Sequence, residues 1–201
     1  MILGVDESHR GCLVGRLYVA CVMDVPDDPR LKKLDDSKKL SEERRDELAP
    51  IIKELCKWGI GWVESSEIDD SGNVWHAEQV AIDRAVEDLR SRHEIPPFTV
   101  LIMDGNAVPK KIKWPPMLVR CIVKADAKHR EVMAASILAK TEADSWLSAQ
   151  PGAEEYGWKE NHGYVNPHHM ERLRSLGPPP IFRKSFVVKE LESDPRFYPQ
   201  S

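Results

Sequence analysis

The chain has 201 residues, of which 41% are apolar and 31% charged, which is enough to bury a core without metal or disulfide staples and too apolar for a disordered chain. No apolar run approaches the roughly 20 residues that a membrane helix needs. A formal net charge of −4 argues against a protein that holds nucleic acid by bulk positive charge alone, while leaving room for local basic clusters beside cation-binding acids.

Met1-Ile2-Leu3-Gly4-Val5-Asp6 reaches an acidic pair with no basic segment or cleavage site ahead of it, so no secretory signal is expected. Cys12, Cys21, Cys56 and Cys121 form no C-x-x-C pair, and three lie in apolar stretches. They read as buried thiols of a cytoplasmic protein rather than as zinc ligands.

In chain order, Ile2-Leu3-Gly4-Val5 and Leu17 to Met23 predict an antiparallel hairpin, with a turn-like stretch from Ser8 to Gly15 between them. Ser41 followed by Glu42 and Glu43 predicts a helix start, and Leu48, Ile51, Ile52 and Leu55 continue it at helical spacing. Pro50 is expected to kink or split that helix. Gly59 to Val63 reads as a third strand, and Asn73 to Leu89 as a second amphipathic helix carrying Val74, Ala77, Ala81 and Ala85. After Pro96-Pro97, the run Phe98 to Met103 suits a strand buried on both faces. Leu118 to Val123 is a fifth strand, and a long helix follows from His129 to about Leu147. Beyond it helices shorten, and Asp194 to Ser201 is expected to fray. The pattern predicts an α/β fold: a five-stranded mixed sheet flanked by helices, antiparallel at first and then joined by crossovers. Residues 1–147 form the expected catalytic unit, and 148–201 a small helical appendage packed on it.

Asp6, Asp104 and Asp126 each close an apolar strand, where ligands of α/β sheets gather. One acid after a strand is an ordinary turn former. Three of them, with Glu7 added, make a site for hard divalent cations, which prefer oxygen ligands. Two Mg²⁺ would offset the mutual repulsion of four carboxylates and could serve phosphodiester hydrolysis. Neighbouring residues of a strand point to opposite faces, so the strand is expected to end or twist at Glu7 for both acids of the pair to enter the site.

These residues resemble the ribonuclease HII family. The resemblance is carried by Gly4-Val5-Asp6-Glu7-Ser8-His9-Arg10-Gly11, Asp36-Ser37-Lys38-Lys39-Leu40-Ser41, Ile68-Asp69 with Asn73, and Asp104-Gly105-Asn106. It continues through Lys124-Ala125-Asp126-Ala127-Lys128, Ala134 to Lys140, Gly163-Tyr164 with Pro167 and His168, and Arg183-Lys184-Ser185-Phe186, in family order. The resemblance implies a ribonuclease H-like fold and an endonuclease that hydrolyses the RNA strand of RNA/DNA hybrids. A DNA duplex containing ribonucleotides is the second expected substrate, and the products carry 3′-hydroxyl and 5′-phosphate ends. Asp6, Glu7, Asp104 and Asp126 are the implied catalytic, metal-holding set for a pair of Mg²⁺ or Mn²⁺ ions. His9, Arg10, Gly11, Ser37, Lys38 and Tyr164 are the implied substrate contacts: the turn's amides read the ribose 2′-hydroxyl, and Tyr164 stacks on the adjacent sugar. The expected state is a monomer with no membrane partner. The alternatives are a non-catalytic hybrid binder and another two-metal polynucleotidyl transferase.

The chain departs from the family pattern where Ser8 and His9 replace Ala and Gly, and where Ala143-Asp144 replaces Arg-Asp. A side chain at residue 9 makes positive φ and close backbone approach costlier, which bears on single embedded ribonucleotides more than on hybrids. Asp144 reads as either an outer acid of the site or an exposed residue. Lys38-Lys39 suits phosphate contact, Lys110-Lys111-Ile112-Lys113-Trp114 a surface loop, and His162, His168 and His169 surface or helix-capping positions.

Overall fold

The computed structural model describes residues 1–35, 37–105 and 118–198, without the side chain of Lys38. Asp36, Asn106 and the Lys110 to Trp114 stretch lie outside the described residues. The first two apolar runs form the expected hairpin, β1 (Ile2–Ser8) antiparallel to β2 (Leu17–Met23). Strand β1 does not end at Glu7: Glu7 pairs with Val19 and Ser8 with Tyr18.

Helix α1 (Glu42–Leu55) starts where Ser41 Oγ accepts from the Arg44 amide at 3.2 Å. It runs through Pro50 unbroken. Leu48, Ala49 and Ile52 are buried against Ala134, Ala135 and Leu138, and this packing holds the helix where local propensity opposes it. Strand β3 (Lys57–Val63) starts earlier than its glycines suggest. A short helix α2 (Ser65–Ser71), absent from the sequence expectation, precedes α3 (Val74–Arg92). Strand β4 is Val100–Asp104; Phe98 is 90% exposed with φ 63°, so it belongs to the turn and not to the buried strand. Strand β5 (Leu118–Ile122) and a 3-10 turn, Ala125–Ala127, lead into α4 (Arg130–Ser148).

The sheet order is β3-β2-β1-β4-β5, with β1, β4 and β5 mutually parallel. Leu3, Val5, Val19, Cys21, Leu101 and Met103 pack on one face against Ala81, Ala85 and Leu89 of α3. Ala20 and Val22 face the other side, towards α1 and α4, while Ile102 meets Val132 of α4. Gly4 is what lets α4 come so close: a Cβ there would stand 2.2 Å from the Glu131 carbonyl carbon. The small residues Ala134, Ala135 and Ala139 continue that close contact, as their pattern suggested.

The outer rim of β3 is covered by side chains of α3. Asp88 Oδ2 accepts from the Ile60 amide at 2.9 Å, and Arg92 Nη2 and Arg84 Nη1 donate to the carbonyls of Trp58 and Trp62 at 2.9 and 2.6 Å.

After α4 come α5 (Trp158–Asn161) and α6 (Pro167–Leu176). Trp158, Leu173, Phe182, Leu191 and Phe197 share a third apolar cluster with Leu13, Val14 and Leu147. Phe197 is 1% exposed and Tyr198 donates its hydroxyl to the Phe186 carbonyl, so the expected fraying from Asp194 does not occur as far as residue 198. No helix among the described residues is long and apolar enough to cross a membrane.

Candidate active site

Strand parity sets where the acids stand. Gly4 faces α4, so Asp6, two residues on, emerges on the same face; Leu3 and Val5 face α3, and so does Glu7. Ile102 faces α4, so Asp104 does too. Parallel β1 and β4 pair Val5 with Met103, and one step further on puts Asp6 beside Asp104, strands about 4.8 Å apart. Asp126 is buried in the 3-10 turn that opens α4, next to Ala125, whose amide donates to Asp104 Oδ1 at 3.0 Å.

A cleft of about 290 Å³ opens at this end of the sheet. Asp6, Glu7, Asp104, Arg10, Ser37 and Tyr164 line it, together with Ser8, His9, Gly11, Ser136 and Lys140. Three of the four expected acids therefore share one opening, while Asp126 sits behind it at the head of α4. Among the described residues no three acids, histidines or cysteines are gathered tightly enough to hold an ion as they stand. Glu7 accounts for part of this, because it is on the other face of the sheet and Arg10 Nη1 holds its Oε1 at 3.2 Å. The donor set is nonetheless all carboxylate oxygen, the kind that hard divalent cations take.

Arg10 also donates to Glu78 Oε2 at 3.2 Å and lies 4.7 Å from the centroid of the exposed Trp75 ring. Burial, then the nearby Glu7 charge, push the Glu78 carboxyl up to about 7, against the pull of Arg10. A Cβ on Gly11 would meet no protein atom within 4 Å, so the backbone is open to the cleft there. Ser37 Oγ and Ser136 Oγ are 2.5 Å apart, and Arg45 Nη1 donates to the carbonyls of Ser37 and Leu40, pinning this wall.

His9 does not reach into the cleft with its ring. It is 1% exposed, and its Nε2 donates to Asp144 Oδ1 at 2.8 Å. Burial lowers its basicity more than Asp144 raises it. Asp144 is buried, not exposed, and also accepts from Lys140 Nζ at 2.8 Å. His162 Nδ1 is 3.3 Å from Asp144 Oδ1 but is not aligned for a hydrogen bond, and Arg45 Nη2 is 3.6 Å from Oδ2. Burial alone would raise the Asp144 carboxyl; the His162 and His9 imidazoles and the Lys140 ammonium outweigh it and hold it well below the usual carboxylate range. His162 is partly exposed and closes α5 as its C-cap, a helix-capping position as expected, whereas His169 is buried with Nδ1 donating to the Tyr164 carbonyl at 2.9 Å.

The closing motif is an anchor. Arg183, fully buried, donates to the carbonyls of Gly15 at 2.9 Å and Arg10 at 3.0 Å. Asp69 accepts from the amides of Lys184 and Ser185 and from Ser185 Oγ.

A family model described as Ribonuclease HII matches residues 3–189. The chain belongs to the ribonuclease HII family. Ribonuclease HII of Porphyromonas gingivalis is 42% identical over 185 residues, 91% of this chain and 87% of the relative. That of Novosphingobium aromaticivorans is 41% identical over 192 residues, 92% and 94% of the two chains. The crystal structure of ribonuclease H2 from Pyrococcus horikoshii superposes with a TM-score of 0.74 at 26% identity, covering 99% of each chain. As a ribonuclease HII, the chain is a hydrolase, an endonuclease acting on the RNA of RNA/DNA hybrids. Of the residues that shape this ribonuclease's cleft, Glu78 has no reading in the sequence, Asp144 is the buried outer acid of its two readings, and Arg183 enters there only as part of the closing motif. For Glu78 the signal was an acid on the apolar stripe that it shares with Ile82, Ala85 and Leu89.

Proposed function

We propose that this ribonuclease HII cuts its hybrid by metal-assisted phosphodiester hydrolysis, with Asp6, Glu7, Asp104 and Asp126 holding Mg²⁺ or Mn²⁺, two ions when fully loaded. The observation that carries the reading is the Val5–Met103 register of parallel β1 and β4, which sets Asp6 and Asp104 next in line on the face where Asp126 opens α4. Bound there, divalent ions supply Lewis acidity to the phosphate and lower the pKa of the attacking water. The protein's own part is to hold acids of two adjacent strands at one opening, with Arg10 beside Glu7. The cut leaves 3′-hydroxyl and 5′-phosphate ends.

Substrate is held, on this reading, by Arg10, Gly11, Ser37, Lys38, Tyr164 and the backbone of His9. The open backbone at Gly11 suits close approach of a ribose, and the 2′-hydroxyl is what separates RNA from DNA there. DNA-embedded ribonucleotides are substrates by the same contacts. Residues 1–147 are the catalytic unit and 148–201 its appendage, in a cytoplasmic monomer.

Cleavage of end-labelled hybrid with Mg²⁺ or Mn²⁺ tests this. Asp6→Asn and Asp104→Asn should each lose roughly a thousandfold in rate, the several kcal/mol that a lost metal contact is worth. Full activity in either folded variant sinks the assignment.

A further inference from the structure

His9 has φ 62°, a left-handed backbone that costs an ordinary side chain about 1–2 kcal/mol. From the sequence this looks like a burden on the turn. The contacts of the imidazole give it another role. Nε2 is bonded to buried Asp144, and the ring stands edge-on to Tyr164, with centroids 5.9 Å apart and planes at 81°. The Tyr164 backbone is held through Asn161 and His169, its hydroxyl interacts with the buried Cys12 thiol, and the residue is 41% exposed at the cleft, with Lys140 Nζ 5.5 Å from the ring centroid. His9 is therefore the ring that backs the stacking tyrosine, and it is itself tied to α4.

We propose that His9 is a positioning residue: anchored on Asp144, it braces the Tyr164 ring and the turn, and so favours an isolated ribonucleotide in DNA relative to a continuous RNA strand. This rests on the reading of Tyr164 and the turn as the ribose contacts. A hybrid offers a 2′-hydroxyl in every register, so a loose reader still finds one. A single ribonucleotide must be caught in one register, and there preorganisation counts most.

The test compares kcat/KM on a full hybrid and on a DNA duplex with one ribonucleotide, for wild type, His9→Gly, Tyr164→Ala and the double variant. Glycine keeps the left-handed backbone at no cost and removes the brace. The ratio of single-ribonucleotide to hybrid cleavage should fall about tenfold in His9→Gly, an ordinary loss for a misplaced positioning group. It should not fall further when His9→Gly is added to Tyr164→Ala. Thermal melts report folding; should His9→Gly not fold, His9→Asn replaces it, since asparagine tolerates positive φ and its shorter side chain cannot back the ring. An unchanged or raised ratio in a folded variant overturns the proposal, as does a His9 effect that persists without Tyr164. Wild type cutting neither substrate sinks the underlying reading of the site instead.

Discussion

Arg183 Nη1 donates to the carbonyl of Arg10 across 3.0 Å, joining two residues 173 positions apart and fastening the end of the chain to the cleft. The same guanidinium donates from Nε to Gly15, so one planar fork holds both ends of the turn. Burial pushes its pKa down to about 10, leaving it charged at neutral pH with those carbonyls as its compensation.

Arg183→Lys should therefore not be conservative. A single ammonium cannot serve both carbonyls, and one buried acceptor is left unmade at a cost of about 1–3 kcal/mol. Urea denaturation should report that loss, with hybrid cleavage falling as the turn loosens. Wild-type stability in Arg183→Lys would show that the fork is not what holds the turn.

Glu78 gives the protein a pH dependence that can be computed in sign. Its carboxyl is pushed from an ordinary 4.5 to about 7, so between those values the folded chain keeps a proton that the unfolded chain has released. Stability should then decline as pH rises through that window and level off above about 7, by roughly 3 kcal/mol in total at the conversion of 1.36 kcal/mol per unit. Denaturation of the metal-free protein at pH 5 and pH 8 measures it. Glu78→Gln should flatten that slope; a slope equal to wild type would place its origin elsewhere.

Gly4 marks the closest approach of sheet and helix. Gly4→Ala would force its methyl into the Glu131–Val132 backbone and push α4 outward. Overpacking of this sort costs about 1–3 kcal/mol, and here the obstacle is backbone, which cannot rotate away. The displacement also carries Asp126 away from Asp6 and Asp104, so activity should fall by more than the fraction unfolded. A melt and a cleavage assay on the same sample separate the two losses.

Asp126 is the acid whose role is least obvious from the cleft. Asp126→Asn should lose hybrid cleavage by roughly a thousandfold, like Asp104→Asn, while retaining hybrid binding. Chelation of divalent ions should reproduce that loss in wild type, and added Mn²⁺ should restore it. A rate within threefold of wild type for Asp126→Asn removes it from the catalytic set.

Much of this was written in the order of apolar runs. The strand that carries Asp6 and the strand that ends at Asp104 are visible because Val, Ile, Leu and Met precede each acid, and the sheet then sets the two side by side. The hairpin, the mixed sheet and the cap at Ser41 follow from equally local signals. What stayed hidden depends on contacts between distant segments. Pro50 argues for a broken helix until the packing of Ile52 on α4 is known. Phe98 looks like strand until Pro97 and a positive φ put it outside. The inward turn of His9 depends on Asp144, 135 residues away, and no periodicity reports that. The alternation of a strand asks β1 to end at Glu7; it runs on to Ser8 instead, and Glu7 still lines the cleft that opens at this end of the sheet.

The covering of β3 by Asp88, Arg84 and Arg92 reaches beyond the single chain. An uncovered rim of amides and carbonyls is a template on which another polypeptide can lay a strand, and three side chains of one helix occupy that template here. Replacing all three with alanine should leave α3 seated by its apolar stripe yet make the protein self-associate as concentration rises, which light scattering would register. A margin remote from the chemistry would then decide whether copies of this chain can pair edge to edge.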